Sequence, residues 1–244
     1  MLPVRFVSWS LRFYWTVDIK YFLIFMLKCL CIGSSLDLPR EGVLYSDTWI
    51  AKCREKFPGI DFINRSQWAQ TSRILNDPQA LEFVRPDVII LHLGIVDCAP
   101  RRIFENYILR ANALLLKMIF KYSIWKIFKG KYPSWAVVPE KKFEMNFENY
   151  LKRCKKSGIR KVVLISIGNP GPSMIRRNPR IAENVDHYNS VLYRLSEKYD
   201  FVENVMPLKN PEMTDYLPDG YHISPCGHDK ILNSLQLIID KVKH

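Results

Sequence analysis

The sequence lacks the patterns by which proteins bind structural metals and nucleotides. None of its six cysteines is paired in a CxxC motif, and no group of His, Cys, Asp or Glu residues has the spacing of a metal site. The loop at residues 168–171 has neither the glycine spacing nor the lysine of a phosphate-binding loop. Zinc-finger, helix-turn-helix and RNA-binding aromatic patterns are also missing. We therefore expect no metal, no cofactor and no nucleic-acid partner.

A secretion signal and a membrane-spanning run are absent as well. The apolar run at residues 21–27 is too short to cross a bilayer, and charged residues lie on both sides of it. No clear small-residue cleavage site follows, and the run leads directly into the Gly-Ser-Ser sequence at residues 33–35. The scattered cysteines indicate reduced thiols. These observations predict a cytoplasmic protein.

Composition indicates a globular protein with an excess of positive charge. The chain has 244 residues, of which 48% are hydrophobic and 13% aromatic, so a large core can be buried and global disorder is excluded. The formal net charge of +12 favours anionic partners such as acidic glycans, phosphorylated substrates or an anionic membrane surface. A solvated basic surface explains the same charge equally well.

Apolar runs alternate with helical patterns along the chain. The runs predict five strands, at residues 22–32, 60–63, 87–93, 161–167 and 201–205. The helical patterns lie at residues 42–57, 71–84, 180–198 and 225–242. This alternation is typical of βαβ units, which build an α/β fold with a parallel sheet covered on both faces. In such sheets, functional sites lie beyond the carboxyl ends of the strands.

Three residues at the two ends of the chain suggest nucleophilic serine chemistry. Ser35 follows the first apolar run on a glycine turn, and Asp219 and His222 stand just before the last helix. A serine hydroxyl is a weak nucleophile until a base removes its proton. The pattern predicts Ser35 as nucleophile, His222 as base and Asp219 as the residue that orients the base. The alternative is that Ser35 caps a helix and residues 219–220 form an ordinary turn.

The order and spacing of these residues resemble the SGNH, or GDSL, hydrolase family. The similarity lies in Gly-Ser-Ser-Leu at residues 33–36, Gly-Ile-Val-Asp at 94–97 and Asp-Gly-Tyr-His-Ile-Ser at 219–224. It spans the chain from about residue 22 to residue 244. The resemblance implies a three-layer α/β/α flavodoxin-like fold with a five-stranded parallel sheet. It also implies the Ser35, His222 and Asp219 triad.

The resemblance implies an esterase that removes an acyl group, expected to be acetyl, from a carbohydrate or glycolipid. The substrate partner would be a small-molecule or glycan ester, for instance in polysaccharide biosynthesis. Two alternatives stay open. An O-acyltransferase would pass the acyl group to a glycan, and a weak or inactive member would only bind its ligand.

The sequence departs from the family pattern around the oxyanion. The family usually has Asp before the nucleophile, where this chain has Ser34. Ala69 stands in the place of a glycine whose backbone N–H helps to bind the oxyanion, and it keeps that N–H. Val96 stands in the place of an asparagine and cannot donate a hydrogen bond. Three other side chains are candidates to replace that donor: Arg65, Gln70 and Asn169.

The remaining site residues are expected on the loops at the same edge of the sheet. We expect five residues to bind the oxyanion or the substrate: Ala69, Gly94, Asp97, Arg65 and Arg101. Arg101 and its neighbour Arg102 could hold an anionic group of the substrate, although loop arginines are also commonly solvated.

Two segments fall outside the minimal fold. Residues 1–20 form an aromatic and basic N-terminal segment, ahead of the hydrolase-like domain at residues 21–244. Residues 103–138 are expected to form a helical insertion, in which apolar and basic residues alternate. Such a helix can pack on the domain or on a second subunit, with lysine stems covering apolar surface. It can also make peripheral contact with an anionic membrane. The oligomeric state stays open.

Overall fold

The computed structural model describes residues 26–100 and 136–243. The described residues form a sheet of five parallel strands in the order β2-β1-β3-β4-β5. The strands are β1 (Leu27–Gly33), β2 (Ile60–Asn64), β3 (Val88–His92), β4 (Lys161–Ile165) and β5 (Val202–Val205). The five-stranded parallel sheet expected from the sequence is thus confirmed.

The central strands are mostly apolar because both faces of the sheet are covered. All five residues of β3 are buried, and so is β1 from Cys29 onward. In the middle of the sheet Leu30 lies between Ile63 of β2 and Ile89 of β3. The same register sets Gly33 opposite His92, so β1 and β3 end at one edge.

Two pairs of helices cover the two faces of the sheet. The helices of the described residues are α1 (Trp49–Lys56), α2 (Ile95–Cys98), α3 (Glu140–Lys156), α4 (Pro172–Arg177), α5 (Ile181–Lys198) and α6 (Pro225–Lys243). Helix α1 packs with α6, and α3 packs with α5. Right-handed crossovers put the first pair on one face and the second on the other. The result is the three-layer α/β/α arrangement that the sequence predicts.

The predicted helix at residues 71–84 is wrong. This stretch forms two short 3-10 helices, Ser72–Asn76 and Pro78–Ala80, with Asp77 in an extended conformation between them. Pro78 has no N–H to donate and disfavours a helical conformation in the residue before it. The Asp77 carboxylate then accepts a hydrogen bond from the Gln79 N–H at 2.8 Å, which starts the second turn.

Two further helices differ from the prediction. Helix α1 begins only at Trp49, because Thr48 caps it by accepting a hydrogen bond from the Ala51 N–H at 3.4 Å. Helix α3 was not predicted, although its spacing of apolar residues marks one buried face. The buried apolar residues of α3 are Phe143, Phe147, Tyr150, Leu151 and Cys154.

Several expectations concern residues that the structure does not describe. Residues 1–20, most of the insertion at 103–138 and Arg101 lie outside the described ranges, and so does the membrane-surface interpretation. Within the described ranges, no helix combines the length and apolar character needed to cross a membrane. The six cysteines are all described and all free, and only Cys226 is exposed.

Candidate active site

Within the turn after β1, the Ser34 hydroxyl caps the backbone, and the Ser35 hydroxyl faces a partner from outside the turn. A 3-10 helix covers Ser35–Asp37, and its cap is Ser34. The Ser34 Oγ accepts a hydrogen bond from the Leu36 N–H at 3.4 Å, and the Ser34 N–H donates to Oδ2 of Asp37 at 3.2 Å. The alternative in which Ser35 is the cap is therefore wrong. Ser35 keeps its hydroxyl for another partner.

The buried carboxylate of Asp37 stabilises this turn through hydrogen bonds. Oδ1 of Asp37 accepts hydrogen bonds from Nε1 of Trp49 at 2.7 Å and from Nδ1 of His92 at 2.6 Å. A Cβ atom on Gly33 would lie 1.8 Å from Oδ2 of Asp37, so only glycine fits at that position. The family pattern has its acid immediately before the nucleophile, but here Ser34 occupies that place. Asp37 therefore brings a carboxylate to the turn from the other side of Ser35.

The second half of the site is the loop before α6. Nδ1 of His222 lies 2.5 Å from Oδ2 of Asp219. The other oxygen, Oδ1, accepts hydrogen bonds from the backbone N–H groups of Tyr221 at 3.1 Å and His222 at 2.9 Å. Because an ionised carboxylate can only accept, Nδ1 carries the ring proton. Nε2 of the neutral ring is left with its lone pair.

The two halves meet across the carboxyl edge of the sheet. Nε2 of His222 lies 3.5 Å from Oγ of Ser35, although 187 residues separate them along the chain. Each residue is 8% exposed, so a small reactant can reach both while bulk water is mostly excluded. Hydrogen bonds in unliganded catalytic sites are commonly long and shorten when substrate binds. An alcohol, an imidazole and a carboxylate are thus arranged in series.

The electrostatic surroundings suit a base that is neutral at physiological pH. Burial lowers the pKa of His222 below its ordinary 6.5, the pairing with Asp219 opposes this, and Arg40 and Arg177 lower it further. Burial alone would raise the pKa of Asp219, but hydrogen bonds from the His222 ring and from two backbone N–H groups bring it below its ordinary value. Near neutral pH, a neutral imidazole therefore faces an ionised carboxylate.

The loop after β2 is tied to the nucleophile turn. The Gly33 carbonyl accepts hydrogen bonds from the Gln67 N–H at 3.4 Å and from Nε2 of Gln70 at 2.7 Å. Between them lies Ala69, whose φ of +55° is in the left-handed region that favours glycine. Neither the Ala69 N–H nor the Ser35 N–H donates to another described residue. Both backbone groups are available to a ligand.

The loop after β3 turns inward. Gly94 adopts a φ of +130° and begins α2, and Asp97 follows with no exposed surface. The Asp97 carboxylate accepts hydrogen bonds from the Ser72 N–H at 2.9 Å and from its Oγ at 2.6 Å. Burial raises the pKa of Asp97 to about 6, and the bonds from Ser72 oppose that rise. The expectation that Asp97 contacts the substrate is therefore wrong, since this side chain holds two loops together inside the protein.

The candidates to replace the missing oxyanion donor are engaged elsewhere. Nη1 of Arg65 donates to the Gln79 carbonyl at 2.7 Å, and Nδ2 of Asn169 donates to the Lys209 carbonyl at 2.5 Å. The Gln70 amide holds the Gly33 carbonyl, as described above. Val96 itself is buried and packs in the apolar core. The Ser35 and Ala69 N–H groups are thus two donors that the described residues leave for an oxyanion.

Two arginines beside the triad were missed in the sequence. Nη2 of Arg40 donates to the Ser35 carbonyl at 2.9 Å. Arg177, in the last turn of α4, donates to the backbone carbonyls of Ser173 and Asp219. Nothing in their spacing distinguishes them from solvated loop arginines, apart from the closeness of Arg40 to Ser35 along the chain. No group of three or more His, Cys, Asp or Glu side chains in the described ranges could hold a metal ion.

Comparisons with known proteins find a shared fold. No protein-family model matches the sequence, and no curated protein matches it significantly. Among solved structures, a GDSL-like lipase from Bacteroides thetaiotaomicron is 17% identical, with a TM-score of 0.56, and the match covers 88% of each chain. A lipolytic G-D-S-L family protein from Veillonella parvula is 9% identical, with a TM-score of 0.60 over 88% of this chain and 98% of that one.

A third solved structure, the acetyl xylan esterase AlAXEase, is 14% identical, with a TM-score of 0.59 over 87% of this chain and 100% of that one. At such low identity the likeness concerns the fold. The chain has the three-layer fold of the GDSL-type lipolytic proteins, as its sequence motifs predict.

Proposed function

We propose that this protein is a serine esterase that hydrolyses acyl esters with Ser35, His222 and Asp219. The observation that supports this most directly is the serial contact of the three side chains, 3.5 Å and 2.5 Å apart, at the carboxyl edge of a parallel sheet. This edge is where doubly wound sheets carry their sites. The neutral imidazole of His222 can accept the proton of Ser35, as a general base must.

In the first half of the reaction, Nε2 of His222 takes the proton of the Ser35 hydroxyl. Oγ of Ser35 attacks the ester carbonyl carbon, and the carbonyl electrons move to the oxygen as an oxyanion. The backbone N–H groups of Ser35 and Ala69 stabilise this charge. The C–O bond to the alcohol then breaks, His222 gives its proton to the leaving oxygen, and the acyl group stays on Ser35.

In the second half, water replaces the alcohol. His222 takes a proton from the water as its oxygen attacks the acyl carbon, and a second oxyanion forms at the same two N–H groups. The bond to Oγ breaks, the proton passes from His222 to Ser35, and the carboxylic acid leaves. Asp219 keeps the ring in the tautomer that both halves need.

The acyl group is proposed to be acetyl, and the alcohol to be a carbohydrate or glycolipid. One protein of the same fold is named an acetyl xylan esterase, which supports an acetylated sugar as substrate. With Val96 in place of an asparagine, one oxyanion donor fewer is present than in the family pattern. Loss of such a donor typically lowers the rate by about 10²–10³. We therefore expect a slower enzyme than one with the full set.

Labelling with a fluorophosphonate probe tests the proposal. We expect one probe adduct per chain, located on Ser35 by peptide mass spectrometry, and no adduct in Ser35→Ala or His222→Ala. A folded wild-type protein that stays unlabelled would contradict the esterase and favour the binding protein that Val96 suggests. Incubation of an acetylated sugar with and without a free sugar acceptor separates the transferase, since hydrolysis releases acetate and transfer yields an acetylated acceptor.

The pH dependence of kcat/KM should follow His222. Only the neutral imidazole can act as base, and its folded-state pKa is lowered, so kcat/KM should rise with pH through a midpoint below 6.5 and level off near neutrality. Arg40→Gln removes a positive charge that lowers this pKa, so its midpoint should move to higher pH. Arg160→Gln, which removes a charge at the opposite edge of the sheet, should leave the midpoint in place. A midpoint above 7 in the wild type would contradict the assignment.

A further inference from the structure

Beside the nucleophile, Arg40 and Trp68 form a surface that the triad does not use. Cζ of Arg40 lies 4.9 Å from the centroid of the Trp68 ring, and Trp68 is 65% exposed. We call this pair the Arg40–Trp68 platform. An exposed indole under a guanidinium combines a wide apolar face with a positive charge.

Hydrogen bonds hold Arg40, and the loop that carries Trp68, against the turn that carries Ser35. Nη2 of Arg40 donates to the Ser35 carbonyl at 2.9 Å, and the backbone of Arg40 exchanges two hydrogen bonds of 2.9 Å with Val43. Trp68 is the residue before Ala69, in the loop that is bonded to the Gly33 carbonyl. A ligand group on the platform therefore lies beside the turn that carries Ser35.

The charge of Arg40 has no carboxylate partner among the described residues. Arg153 and Arg194 do have carboxylate partners, Glu82 and Glu144, whereas Arg65, like Arg40, donates to a backbone carbonyl. Asp219, the acid whose charge acts on Arg40, is already bound to His222. Of the five N–H donors on the guanidinium, one is used by the Ser35 carbonyl. The others can serve an anionic group of a ligand.

We propose that the substrate is the acyl ester of a sugar that carries an anionic group, either a carboxylate or a phosphate. This rests on the proposed esterase function and names its substrate class. The apolar face of the sugar ring packs on the exposed surface of Trp68 that Arg40 does not cover, and the anion pairs with Arg40. Planar guanidinium donors match both carboxylate and phosphate with two parallel hydrogen bonds. The net charge of +12 attracts such substrates at longer range.

Three matched esters test the proposal. They are methyl glycosides acetylated at the same hydroxyl, derived from glucose, from glucuronic acid and from glucose 6-phosphate, so that only the group at C6 differs. We expect kcat/KM for at least one anionic ester to exceed that for the neutral ester by about tenfold or more. The carboxylate and phosphate esters show which anion is preferred. Rates are compared at low salt and about pH 8, where His222 is neutral in every variant.

Arg40→Gln should remove most of that preference, and Arg40→Lys should keep part of it because the charge remains without the planar fork. Trp68→Ala should lower kcat/KM for all three sugar esters more than for p-nitrophenyl acetate, which has no sugar ring. Arg160→Gln is the matched control. It removes the same charge just before β4, where it pairs with Asp87, at the opposite edge of the sheet. The anion preference should survive this change.

Two results would overturn the proposal while the esterase stands. One is a wild-type enzyme that hydrolyses the neutral ester as fast as both anionic ones, and the other is a preference that Arg40→Gln leaves intact. A wild-type protein that hydrolyses none of the sugar esters and not p-nitrophenyl acetate would instead remove the esterase function, and the substrate class with it.

Discussion

Ser35→Ala is expected to lower kcat for acyl-ester hydrolysis by about 10⁴–10⁶-fold, because the acyl group then has no oxygen to bind. The remaining rate would come from substrate binding and from the two backbone N–H groups. Steady-state hydrolysis of p-nitrophenyl acetate by the purified variant and the wild type measures the loss. Ser157→Ala, at an exposed serine after α3, is the control and should keep full activity.

His222→Ala should cause a loss of similar size, since an unactivated Ser35 is a poor nucleophile. The double variant should be no slower than either single variant, because the two side chains act as one unit. Losses that multiply in the double variant would show that the two residues act independently. That result would contradict the series of contacts on which the mechanism depends.

Asp37→Ala is expected to lower the free energy of unfolding by about 3–5 kcal/mol. The substitution leaves three buried donors without their acceptor: the Ser34 N–H, Nε1 of Trp49 and Nδ1 of His92. Urea denaturation at neutral pH measures the change as a lower transition midpoint. Asp61→Ala is the matched control, because Asp61 is an exposed aspartate on the neighbouring strand β2.

Asp37→Asn separates the support of the turn from the general loss of stability. The amide keeps the shape and one accepting oxygen, so this variant should fold with a smaller loss than Asp37→Ala. Its NH₂ group meets a donor where the carboxylate had accepted a hydrogen bond, so the turn that carries Ser35 should shift. We expect kcat to fall about tenfold or more with little change in KM. Equal stability of Asp37→Ala and Asp61→Ala would contradict this role.

The sheet was predictable because strands that are buried on both faces have apolar sequences. The central strands β1, β3 and β4 are largely apolar, and such a run can be recognised without knowing what lies next to it. A helical pattern of apolar residues was a less reliable guide where a proline interrupts it. Pro78 broke the expected helix at residues 71–84. The buried face of α3 corresponds to apolar residues at helical spacing within residues 143–154.

Contacts within the candidate site were predictable where they join residues close together in the chain. Asp219 and His222 bond within one loop, so their spacing alone indicates the pair. The tertiary structure brought that pair to Ser35, turned Asp97 into the interior and placed Arg40 over Trp68. These contacts join loops far apart in the chain, and their geometry depends on the path of the whole backbone.

By itself, then, the sequence determined the fold class, the turn that carries Ser35 and the contact between Asp219 and His222, because each depends mainly on residues close together along the chain. Only the tertiary structure decided which polar groups face the site and which form the internal hydrogen bonds that stabilise it. A side chain such as Asp37 or Asp97 can do either, and the choice depends on which donors the folded chain brings within about 3 Å of it.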